Sequence, residues 1–204
     1  MSERTNNYSK QAESARIDFL KWNQDEMIRR FGLLHDDDKL YINFFNDAHI
    51  IDRQSGEVTL RETGARASFS AVMSIYDVLC DVKQGASLSG TCQTLTNLSP
   101  HSNFGASGKS MYDTEAKKFA GRLDALRAAC EKSGGCAATK ADVGYEFYAF
   151  DFMPIIFQFW DGDDEFAPRI NFLFDANTMD YIHFETAWYV AGHLLDIIEA
   201  NFAD

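Results

Sequence analysis

The stretch MPIIFQFWDGDDEFAPRINFLFD, residues 153–175, decides how this chain is read. Ile155, Phe157 and Phe159 alternate with Ile156, Gln158 and Trp160, and Ile170, Phe172 and Phe174 repeat the pattern. A period of two is the strand period, because successive side chains point to opposite faces. Two such runs joined by a polar segment predict a hairpin with an eight-residue loop, Asp161 to Pro168. Pro154 predicts a break before it, since proline cannot donate to a ladder, so 145–160 reads as two strand segments. Within the loop, four of the five residues from Asp161 to Glu165 are acidic.

The rest of the chain is arranged around that hairpin. "DANT" (175–178) is a turn. A helix follows, with the stripe Phe184, Ala187, Trp188, Ala191, Leu194, Leu195, Ile198 and Phe202. That spacing suits a helix laid on a sheet, and Asp180 is placed as its cap. Upstream, residues 9–31 read as one helix stopped at Gly32, 40–44 as a strand, and 49–60 as a hairpin turning near Ser55-Gly56. Phe69, Val72, Met73, Tyr76, Leu79 and Cys80 make an amphipathic helix. Residues 84–112, rich in Gly, Ser, Thr and Asn, show no period and read as an irregular excursion or flap. Asp113 opens a helix carrying Phe119, Leu123, Leu126 and Cys130, ended at Gly134-Gly135. The expectation is an α+β fold: a mixed or mainly antiparallel sheet flanked by helices, the C-terminal helix packed on the final hairpin. Residues 1–35 form an N-terminal helix or arm, and 36–204 a single domain.

Composition narrows function by exclusion. In 204 residues, 46% are hydrophobic, 25% charged and 17 are Phe, the profile of a soluble globular protein with an aromatic core. The net charge of −12 argues against nucleic acid and anionic membranes, whose phosphates need Lys and Arg, and favours cations or basic partners. The first residues, MSERTNNYSK, lack a signal-peptide core, and no apolar run is long enough to span a bilayer. A cytoplasmic location with four reduced cysteines is expected.

The motifs are mostly negative. GASGKS (105–110) lacks the first glycine of a phosphate-binding loop, where Asn103 stands, and no apolar strand leads into it. Cys130 and Cys136 are too widely spaced for the usual zinc or iron–sulfur pairs, though a redox role for the two is a third reading. Cys80 lies on a core stripe. His193 lies about 280° round the last helix from His183, so that helix alone cannot bring both to one metal. Counting an EF-hand from Asp161 puts Phe166 and Phe172 where Gly and Glu are required. Three readings of the acidic loop stay open: a solvated turn, a looser oxygen site for a divalent cation, and carboxylates for acid–base work. The candidate metal ligands are Asp163, Asp164, Glu165 and Asp175. Trp160, Tyr181, His183 and Glu185 complete a candidate ligand-binding face, with His183 as the proton carrier. No motif signals an organic cofactor.

The segment from Met153 to Leu195 resembles the C-terminal signature of a family of bacteria and archaea known as a domain of unknown function, number thirty-seven eighty-six. The positions that carry the resemblance are Gly162 to Phe166, Phe174-Asp175, Tyr181 and Glu185. VMSIYDVL (72–79) and DALRAACEKSGG (124–135) are similar in order and spacing. The likeness runs over about 60–190 and is most specific in the last third. This chain has Ala167 between Phe166 and Pro168, where relatives tend to place proline directly. Some relatives carry an added iron–sulfur domain, which implies a link to anaerobic redox metabolism, but this chain lacks that cysteine motif. The resemblance implies a fold and a candidate face rather than an activity. Two functions are carried forward. One is a non-enzymatic accessory module for a small molecule or protein partner, its oligomeric state open. The other is a divalent-metal-dependent enzyme using the 161–185 acids.

Overall fold

The computed structural model describes residues 3–98, 112–138 and 140–202. The chain divides into two compact units, Met1–Ala86 with Asp180–Val190, and Ser87–Met179 with Ala191–Asp204. The boundary expected near residue 35 falls inside the first unit. The GASGKS motif lies outside the described residues.

The first unit opens with α1 (Glu3–Phe19) and α2 (Gln24–Phe31). The single helix expected over 9–31 is two, because Asn23 accepts the Glu26 amide at 3.2 Å and starts a new helix. Gly32, at φ 62°, closes α2 as expected. A four-stranded sheet follows: β1 (Leu34–His35), β2 (Lys39–Phe44), β3 (Asp47–Asp52) and β4 (Val58–Leu60), antiparallel in chain order. In β2, Leu40, Ile42 and Phe44 are buried, which is the face their alternation predicts. Asp52 shapes the β3–β4 turn by accepting the amides of Gln54 and Ser55. Gly56 lies in that turn at φ 76°.

Ser68 caps α3 (Phe69–Asp81) through the Ala71 amide at 3.2 Å. The buried stripe of α3 includes Ala71, Ile75, Tyr76, Val78 and Leu79. Phe19 of α1 stacks on Tyr76 at 5.3 Å, so α1 is tied to α3 and is no loose arm. Tyr189, in the first half of α7 (Phe184–Phe202), meets Phe69 edge-on at 5.3 Å.

The second unit is built on a five-stranded antiparallel sheet. Its strands are β5 (Cys92–Thr94), β6 (Cys136–Ala137), β7 (Val143–Phe150), β8 (Met153–Trp160) and β9 (Arg169–Asp175), in the order β5-β9-β8-β7-β6. The deciding hairpin forms as read, with Trp160 paired to Arg169 and the loop Asp161–Pro168 between them. Ile155 opposes Phe174, Phe157 opposes Phe172, and Phe159 opposes Ile170, all six buried. The break expected at Pro154 comes instead at Asp151-Phe152. Pro154 is tolerated within β8 because the β8–β9 ladder begins one residue later, at Ile155.

The excursion 84–112 contains β5 and the short α4 (Leu95–Leu98). The helix expected from Asp113 is split into α5 (Asp113–Phe119) and α6 (Leu123–Lys132), with Gly121 at φ 69° between them. Phe119 meets Phe159 of β8 at 6.1 Å and Phe202 of α7 at 4.8 Å, both edge-on. It thereby joins the end of the last helix to the hairpin core. The α+β class holds, and both sheets are antiparallel throughout, so the one expected sheet is two.

Candidate functional site

The first unit gathers three potential metal-ligating side chains. Asp77 and Asp81 stand at i and i+4 near the C-terminal end of α3, hence on one face of it. His183 comes from the segment just before α7. That segment is pinned to the end of α3, where the Lys83 amide donates to the Asp180 carbonyl at 2.8 Å and the side chains pair at 2.7 Å. One ligating atom from each of Asp77, Asp81 and His183 lies within 4.8 Å of the others. Among the described residues this is the one group of three or more such side chains so arranged.

Asp77 holds the histidine twice. Its Oδ2 accepts the His183 amide at 2.7 Å, and its Oδ1 lies 2.6 Å from Nδ1. An ionised carboxylate only accepts, so Nδ1 carries the proton in this pair and Nε2 is left for other work. Asp77 thus accepts the amide of the residue just before α7, whereas the Asp180 carboxylate, expected as the cap, pairs with Lys83. Asp77 is 11% exposed at its side chain and His183 63%, so the pair has a sheltered carboxylate and an accessible imidazole.

The charges around the pair are mostly negative. The hydrogen bond from Asp77 raises the His183 pKa above its ordinary value, with the charges of Asp77, Asp81 and Glu185 adding to it against partial burial. Burial raises Asp81, and the neighbouring Asp77 carboxylate raises it further; His183 opposes and Asp18 adds a small push upward. Negative charge nearby contributes to both shifts, and such a field attracts a cation.

Two carboxylates and an imidazole make a mixed oxygen–nitrogen donor set. Such sets suit Zn²⁺, Mn²⁺, Fe²⁺, Co²⁺ and Ni²⁺ better than Ca²⁺, which takes six to eight oxygens. Donor atoms on a common first-row ion stand roughly 3 Å apart, given bonds of about 2.0–2.2 Å. The Asp77–His183 contact, 2.6 Å, is shorter than that, and ligation through Nδ1 requires the cation to displace the proton held there. Three protein ligands leave coordination positions free for water or a further ligand.

The residues expected from the sequence fall in different places. Tyr181, His183 and Glu185 belong to the first unit: Tyr181 is buried, while Glu185 is exposed in the first turn of α7. Trp160, Asp163, Asp164, Glu165 and Asp175 belong to the second. The structure does not bring the four carboxylates expected to share a metal to one point. Asp163, Asp164 and Glu165 precede β9 and Asp175 ends it, and a seven-residue strand separates its ends by about 20 Å.

Local hydrogen bonds account for two of these acids. Asp175 is 2% exposed. It accepts the amides of Ser89, Gly90 and Asn177 at 2.8–2.9 Å. Burial works against its ionisation, but those amides prevail and hold its carboxyl below the usual range. Asp163 accepts the amides of Phe166 at 2.7 Å and Glu165 at 2.8 Å, which lowers its pKa in the same way. Cys130 is buried, and burial pushes its thiol up to about 12, while Cys136 is exposed.

Asp77 and Asp81 were not singled out by sequence, yet a signal was present. DVLCD (77–81) places two acids in the last turns of a helix with no basic residue there. A helix C-terminus carries partial negative charge, so acids there are unfavourable unless a positive group answers them.

These features define a two-unit α+β protein with a carboxylate–imidazole cluster at the junction of α3 and the start of α7. The chain belongs to the family described as Domain of unknown function (DUF3786), whose family model matches residues 23–196. The match covers most of the chain and not the C-terminal third alone. No curated protein and no solved structure matches it. No helix of the described residues is long and apolar enough to cross a membrane.

Proposed function

We propose that this protein is a cytoplasmic binding module for a first-row divalent cation, held by Asp77, Asp81 and His183 with open positions for a further ligand. The observation that carries this reading is the convergence of the three ligating atoms within 4.8 Å. The placement of both acids at the negative end of α3 supports it, because a bound cation relieves that repulsion. Elemental analysis of protein purified anaerobically without chelator tests it, alongside Asp81→Asn and His183→Gln. Near-stoichiometric Zn, Mn, Fe, Co or Ni is expected in the parent and its loss in both variants. A metal-free parent that takes up none of these ions in calorimetric titration would refute the proposal.

A second reading, a metal-dependent enzyme, is favoured by one observation. His183 is oriented by a carboxylate and is well exposed, the arrangement a proton carrier needs. A pH–rate profile that loses one limb in His183→Gln, with metal still bound, would support it.

A further inference from the structure

The β8–β9 hairpin tip carries a surface that the fold does not use. Phe166 is 69% exposed and Trp160, at the end of β8, is 40% exposed. A single exposed ring is ordinary on a protein surface; what sets Phe166 apart is the loop that presents it. The loop that carries Phe166 is fixed by its own hydrogen bonds. The Asp161 amide donates to Asp142 at 2.8 Å, and the Asp161 carboxylate accepts the amides of Gly121 at 3.1 Å and Gly162 at 2.9 Å. Asp163 closes the turn through Glu165 and Phe166, and its own amide donates to the Phe166 carbonyl at 2.9 Å. Gly162 has no room for a side chain: a Cβ there would lie 2.8 Å from Pro168 Cδ.

Two of the loop's acids, Asp161 and Asp163, are thus spent on its shape. Asp164 and Glu165 are exposed and make no ion pair among the described residues, and Arg169, opposite Trp160, is the nearest cation along the hairpin. The result is an exposed aromatic on a hydrogen-bonded loop, beside two exposed carboxylates. Aromatic anchors held in place before binding are what protein interfaces concentrate energy on, and flanking charges select the partner.

We propose that this hairpin tip is a docking surface for a protein partner whose apolar contact patch is rimmed by Lys or Arg. A second copy of this chain is disfavoured as occupant, since the tips would bring Asp164 and Glu165 against like charge on a molecule of net charge −12.

The test is a selection of peptides from a random display library on the intact protein. Selected peptides are then titrated against the parent, Phe166→Ala and the double variant Asp164→Asn with Glu165→Gln, following backbone amide shifts by NMR. Peptides combining Lys or Arg with an apolar residue should be enriched and should perturb residues 161–168. Their affinity should fall roughly tenfold or more in Phe166→Ala and fall with added salt. Both sites of substitution are exposed, so unchanged thermal unfolding is expected. Enrichment of no peptide, or of peptides that bind Phe166→Ala equally well, would overturn the proposal. So would loop shifts caused by self-association in sedimentation, or by a divalent cation alone.

Discussion

His183 and Asp77 share a short contact, Nδ1 to Oδ1 at 2.6 Å, and it sets how the metal-free site responds to pH. The folded pKa of His183 is raised above 6.5, chiefly by that hydrogen bond. The protonated imidazole therefore favours the folded state. Its contribution is fully present below about pH 6.5 and is lost as pH rises through the folded pKa. His49 behaves oppositely: burial lowers its pKa, so its contribution is present above 6.5 and lost as pH falls. With chelator present, the stability difference between the parent and His183→Gln should shrink as pH rises from 6.5. At 63% exposure that difference should not exceed about 1 kcal/mol. Urea unfolding at stepped pH measures it. A difference that grows with pH would show that the imidazole is held neutral.

At the scale of elements, Asp77 has two separable tasks. It accepts the amide of His183, just ahead of α7, and it lends a carboxylate to the cluster. Asp77→Ala removes both. It should destabilise the protein by about 1 kcal/mol, within the 0.5–2 kcal/mol typical of lost helix caps. Asp77→Asn keeps an acceptor oxygen and should recover most of that stability, yet bind the cation far more weakly because the charge is gone. Chemical unfolding read against metal titration separates the two tasks. Equal loss of stability in both variants would mean that the ion pair, and not the cap, holds the start of α7.

At the scale of the molecule, cation binding should appear as stability. A ligand that binds only the folded state adds RT ln(1 + [L]/Kd), about 2.7 kcal/mol at a hundredfold excess over Kd. For a chain of this length that corresponds to a rise of roughly 5–10 °C in Tm. Differential scanning calorimetry with and without Zn²⁺ or Mn²⁺ should show this rise in the parent and not in Asp81→Asn. A rise of the same size in both would place the binding elsewhere.

The local elements are legible in the sequence. Period-two runs marked the β8–β9 hairpin and its eight-residue loop, and period-3.6 stripes marked α3 and α7, because burial of one face writes itself into spacing. It misjudged continuity where a short-range competitor acted: Asn23 and Gly121 each divide a helix that periodicity alone joins. It reached His183 but did not pair it with Asp77 or Asp81. Sequence proximity drew the acids of the loop Asp161–Pro168 and Asp175 together, although β9, being extended, holds them apart. That Asp77 and Asp81, about a hundred residues upstream, meet His183 emerges from the fold alone. That meeting depends on the return of the chain at Asp180 to the end of α3. No local pattern records such a return, because it is fixed by the packing of distant segments.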